Sequence, residues 1–157
     1  MYPVRLAFSE VLERIEALIA NGHHAEALVT SMFTFEKLVK RILRRAIVAR
    51  GFSLAHAETM LDRNGLEQLL EKWAVFERDH RTLPQILGNE WRPIPAAKKA
   101  RNDLVHGNKV FKLEKCREQA ESVLVALRKL HRVMSEDYGV DPWGKRPRER
   151  GGLPWNG

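Results

Sequence analysis

The chain has 157 residues, 44% hydrophobic and 30% charged, which suits one soluble globular domain with a sizeable core. No apolar run approaches the ~18 residues of a membrane span, and the single cysteine, Cys116, excludes an intrachain disulfide framework. The net charge of +7 points to an anionic partner, nucleic acid above all, provided the cations cluster.

The N-terminus, Met1-Tyr2-Pro3-Val4-Arg5, lacks the apolar stretch of a secretory signal, so a reduced cytoplasmic setting is the default expectation. Leu6, Val11, Leu12, Ile15, Leu18 and Ile19 recur at helical spacing, and Asn21-Gly22 stops that helix. A longer helix is predicted from about Ala25 to Arg50, with Gly51 at its end. Its apolar stripe runs through Leu28, Met32, Phe35, Leu38 or Val39, Ile42 and Ala46. Ser53 can cap a short helix through Leu61, and another is predicted from Gly65 to Phe76. Leu83 to Leu87 reads as a loop or a single turn. Pro93 and Pro95 suit the start of a helix over Ala96 to about Val105, which Gly107 and Asn108 break. The last helix, about Lys112 to Tyr138, carries Leu113, Cys116, Ala120, Val123, Leu124, Leu127, Leu130, His131 and Met134. No pair of alternating strands is visible. The class is all-α, with two long helices, one medium helix and small connecting helices.

The composition changes at Gly139. Residues 139–157 hold Pro142, Pro147, Pro154, Lys145, Arg146, Arg148 and Arg150, and read as an extended or disordered basic tail after a helical domain of residues 1–138. Trp143 and Trp155 are the tail residues able to dock on something.

The chemistry-bearing segment is Ala100-Arg101-Asn102-Asp103-Leu104-Val105-His106-Gly107. With 17 arginines and 6 histidines, chance alone supplies roughly 0.65 pairs at the Arg101–His106 spacing, so context must carry the argument. The segment ends a helix, where His106 is accessible. Leu104-Val105 is expected to anchor it, and a long amphipathic helix follows. The bland alternative is that Arg101 pairs with Asp103 or a helix end, and His106 only caps the helix.

This segment, between a medium helix and a long final helix, resembles the HEPN superfamily. The signature of that family is an arginine, a polar residue that is often Asn, three further residues and a histidine. The resemblance covers roughly residues 6 to 138. It implies an antiparallel up-and-down bundle of four to five helices that forms a homodimer, with two Arg–His motifs facing each other in one composite site. It also implies a metal-independent endoribonuclease of toxin–antitoxin or antiphage systems, or else a non-catalytic RNA-binding, nucleotide-binding or protein-interaction module. An antitoxin or regulatory protein is then a further expected partner. The family's tyrosine two residues after the histidine is absent, since Asn108 stands there.

The residue types fit that chemistry independently. Cleavage of RNA by its own 2′-hydroxyl needs a proton removed, a proton delivered to the 5′-oxygen and charge neutralised on the phosphorane. Imidazoles move protons near neutral pH, and a guanidinium holds phosphate oxygens with its planar fork. His106 is the candidate acid or base, Arg101 the phosphate ligand and Asn102 an orienting group. Between Arg92 and Lys112 lie Arg92, Lys98, Lys99, Arg101, Lys109 and Lys112, with Asp103 the one acid. Lys37, Lys40, Arg41 and Arg44 share a face of the long helix. Lys37, Arg41, Arg44, Lys98, Lys99 and Lys109 are therefore candidate RNA ligands. The resemblance also implies a glutamate on the long helix near the Arg–His site, which makes Glu36 a candidate support for Arg101, against a plain surface pair with Lys40.

Other residues offer less. His23, His24 and Glu26 lack metal-ligand spacing, so no metal site is expected, and without a Gly-rich phosphate loop no cofactor is expected either. Removing residues 139–157 is expected to leave the helices folded, because their apolar stripes end near Met134, and to weaken RNA affinity through the lost cations.

Overall fold

The computed structural model describes residues 6–107, 111–144 and 147. Among them are seven α-helices and one 3-10 turn, and no strand. The helices are α1 (Phe8–Ala20), α2 (His24–Ala49), α3 (Leu54–Leu61), α4 (Leu66–Phe76), α5 (Leu83–Leu87), α6 (Ile94–Val105) and α7 (Leu113–Tyr138), with the 3-10 turn at Gly88–Trp91. No helix among the described residues is long and apolar enough to cross a membrane. The chain divides into two compact units, Met1–Phe35 with Glu90–Leu127, and Glu36–Asn89 with Arg128–Gly157.

The first unit takes α1, the start of α2, α6 and most of α7. Phe8, Leu12 and Ile15 form the buried face of α1 at i, i+4 and i+7. Glu10 accepts the Ala7 backbone N–H at 3.1 Å, occupying one of the first-turn donors that a helix leaves open. Leu28, Met32 and Phe35 of α2 are fully buried, and Phe35 meets the Trp91 ring at 6.4 Å between centroids. On α7 the buried face is Cys116, Ala120, Val123, Leu124 and Leu127. Leu113 departs from expectation and is exposed, because the helix begins there and its first turn has no core beneath it.

The second unit is built on the rest of α2 and the end of α7. Leu38, Val39, Ile42, Leu43 and Ile47 are buried, as are Leu61, Leu69, Trp73, Leu83, Leu87, Leu130 and Met134. Ser53 Oγ accepts the His56 N–H at 3.0 Å, the cap the sequence predicts for α3. Residues 83–87 form a helix where a loop or turn was expected. Five residues are too few to show periodicity, but Thr82 and Gln85 exchange hydrogen bonds at 2.8 and 3.2 Å as a capping box. Lys129 Nζ then donates to the Leu87 carbonyl at 2.7 Å and holds the other end.

A polar knot ties the turn after α4 to α7. Glu77 is 3% exposed, and its carboxylate accepts the Asp79 N–H at 2.8 Å, the Arg81 N–H at 2.7 Å, Arg81 Nη2 at 2.9 Å and the Tyr138 hydroxyl. Arg81 also reaches Asp137 at 3.4 Å. Burial pushes the Glu77 carboxyl up, but hydrogen bonds from Tyr138 and Arg81 outweigh it and hold the group below its ordinary range. Burial and the same carboxylate raise Tyr138.

The described start of the C-terminal segment is packed rather than extended. Pro142, Trp143 and Pro147 are buried, so the apolar core of the second unit continues past Met134. Residues 139–144 and 147 therefore pack with the second unit, while residues 145–146 and 148–157, with Lys145, Arg146, Arg148, Arg150 and Trp155, lie outside the described residues; removing residues 139–157 strips Trp143 from that core.

Candidate functional site

The corner at the end of α6 begins with its prolines. Pro93 and Pro95 flank Ile94 at the first turn, where a missing N–H costs nothing and the fixed φ favours helix. Ile94, Ala97 and Ala100 then form the buried face. The small alanines seat the helix closely, and Arg101, Asn102, Asp103 and Leu104 lie half-buried beside that face. Val105 is exposed, so the anchor is this Ile94–Ala97–Ala100 face with Leu104 in support, not the Leu104-Val105 pair.

Arg101 Nε donates to Asn102 Oδ1 at 2.7 Å. This bond fixes the plane of the guanidinium, whose Nη edge carries four of its five N–H groups. His106 is the exposed C-cap residue, and its N–H donates to the Asn102 carbonyl at 3.0 Å. Gly107 follows at φ +66°, a left-handed conformation that ends the helix without a Cβ clash. Five residues of helix turn through about 500°, so Arg101 and His106 diverge by about 140° around the axis. Asn102 and His106, four apart, share a face. Asn102 is thus the link: it holds the arginine with its side chain and stands one turn below the histidine.

The other candidates are distributed unevenly. Lys98 is half-buried and Lys99 exposed on α6, in the same unit as the Arg101 corner. Lys109 lies outside the described residues. Glu36, Lys37, Arg41 and Arg44 belong to the second unit, and Glu36 is half-buried there. The cations of α2 do not form a bare stripe. Arg41 lies over the Trp143 ring, 4.2 Å from its centroid, and Nη1 donates to the Trp143 carbonyl at 2.6 Å. Lys37 Nζ lies 5.5 Å from the same ring. Arg44 pairs with Glu58 at 3.7 Å.

Sequence reasoning passed over three residues that matter here. Arg45 continues the 37–41 ridge by four, is buried, and Nη2 donates to the Asp141 carbonyl at 3.4 Å. The Asp141 carboxylate accepts from His131 Nε2 at 2.9 Å and from the Trp143 N–H at 2.9 Å. Burial pushes the Asp141 carboxyl up, but these two hydrogen bonds, with the charges of His131 and Arg45, hold it below its ordinary range. The available signal was Trp143 itself, an aromatic isolated in a polar segment.

Among the described residues, no three side chains of His, Cys, Asp or Glu are grouped to hold a metal ion. No family model, curated protein or solved structure matches this chain.

Proposed function

We propose that this chain is a HEPN-type, metal-independent endoribonuclease that cleaves RNA through the RNA's own 2′-hydroxyl, in a toxin–antitoxin or antiphage role. The observation that supports it is the α6 corner, where Asn102 fixes the Arg101 guanidinium and stands one turn below an exposed histidine at the helix end. In this reading α1, α2, α6 and α7 are the up-and-down bundle, and α3 to α5 are an insertion. His106 transfers a proton, and the Nη edge of Arg101 binds the phosphate as charge builds on it. One imidazole cannot be acid and base at the same moment. The reading therefore requires a second copy, whose own His106 supplies the other proton transfer.

The first unit offers apolar surface for such a copy: Phe33, Val105, Leu113 and Val125 are all more than half exposed. The expected result in solution is a homodimer at micromolar concentration by light scattering. A strict monomer removes the composite site.

Incubation with labelled RNA in EDTA tests the chemistry. The expected products end in a 2′,3′-cyclic phosphate and a 5′-hydroxyl. Strict magnesium dependence, or 5′-phosphate products, means that water attacks and the proposal fails. If the dimer binds RNA without cutting it, and Arg101→Ala abolishes binding, the chain is instead a non-catalytic HEPN-like binding module.

A further inference from the structure

The C-terminal segment meets α2 with a particular chemistry. Lys37, Arg41 and Arg45 form one ridge at four-residue spacing. Against it the segment sets an aromatic plane under the Arg41 guanidinium and carbonyl oxygens on Arg41 and Arg45. The Asp141 carboxylate adds a negative charge that acts on Arg45. A planar ring stacked on guanidinium, flanked by anionic and carbonyl oxygens, is also what a nucleotide of single-stranded RNA presents: a base and its phosphate oxygens.

We propose that Asp141-Pro142-Trp143 occupies, in cis, a nucleotide-binding subsite for single-stranded RNA on α2, with Trp143 standing in for the base and the oxygens of Asp141 and Trp143 for those of the phosphate. The strap and the RNA then exclude each other. The hinge is Gly139, whose φ of +67° lets the chain turn back from α7 onto α2. The latch is the Asp141 carboxylate, held by His131 and by the N–H of Trp143. This inference rests on RNA as the ligand of the chain, but not on cleavage.

The test is anisotropy of a short labelled oligouridine in EDTA, with every protein carrying His106→Ala so that the probe stays intact. Trp143→Ala opens the subsite. The expected result is roughly tenfold tighter binding, the worth of one stacked base. The log–log salt slope steepens by about 0.7 as Arg41 becomes available to a phosphate. Adding Arg41→Ala to Trp143→Ala cancels both gains. Asp141→Ala changes an exposed residue, releases the latch and gives the same direction of effect if Trp143→Ala impairs folding, which circular dichroism reveals. Unchanged or weaker binding in a folded Asp141→Ala protein overturns the proposal, and so does a gain that survives Arg41→Ala. Tighter binding of the opened forms stands even if the unmutated chain never cuts RNA, which separates this inference from the nuclease reading.

Discussion

His106→Ala is expected to lower the rate of RNA cleavage by about 10²–10⁴-fold, the usual contribution of one positioned acid or base. Arg101→Ala is expected to cost about 10²–10³-fold, by removing donors aimed at the charge that builds on the phosphorane. The fold should survive both changes. His106 is exposed, and Arg101 lies beside the Ile94–Ala97–Ala100 face rather than within it. Single-turnover cleavage with circular dichroism on the same samples measures both effects. Asn102→Ala separates positioning from chemistry. It removes the acceptor of the Arg101 Nε–H, and Arg101 then loses its fixed plane without losing its charge. The expected result is a smaller fall in rate with substrate affinity retained. A rate unchanged by His106→Ala ends the proposed mechanism.

The largest expected stability effect lies at Glu77. Glu77→Ala leaves the Tyr138 hydroxyl and two backbone N–H groups without their acceptor, and takes from Arg81 its nearest carboxylate. Opening a buried charge pair from one side costs about 3–5 kcal/mol. The low end, about 3 kcal/mol, applies because the Arg81 side chain is 34% exposed and water screens what remains. Urea unfolding at neutral pH measures it. The same carboxylate sets a pH dependence. Its folded value lies below the unfolded one, so its contribution is complete above the ordinary glutamate range near ~4.3 and is lost as pH falls through the lower folded value. The difference in stability between wild type and Glu77→Ala should therefore shrink on acidification. A difference that is constant with pH would assign the effect to packing.

Six of the seven helices were legible in the chain itself, because each carries a local signal. The periodic apolar faces of α1, α2 and α7 report burial directly, Ser53 marks the start of α3, and Pro93 with Gly107 brackets α6. The segment Arg101-Asn102-…-His106 was equally legible, since its residue types and its place at a helix end are properties of sequence. What sequence left open was every question of partner. Whether Arg101 bonds Asn102 or Asp103 depends on rotamers, and four-residue spacing says only which side chains share a face. Lys37, Arg41 and Arg44 read as candidate RNA ligands on one basic face, because helical periodicity places cations together without saying what lies over them. The strap comes from about a hundred residues away, and only tertiary structure brings Trp143 beneath Arg41 and the Trp143 carbonyl onto its Nη1. Glu77 reads as one charge in a polar loop for the same reason: the Tyr138 hydroxyl that buries it is 61 residues distant. Local propensity and periodicity determine elements, whereas the fate of a charge depends on desolvation by distant chain, which no local window contains.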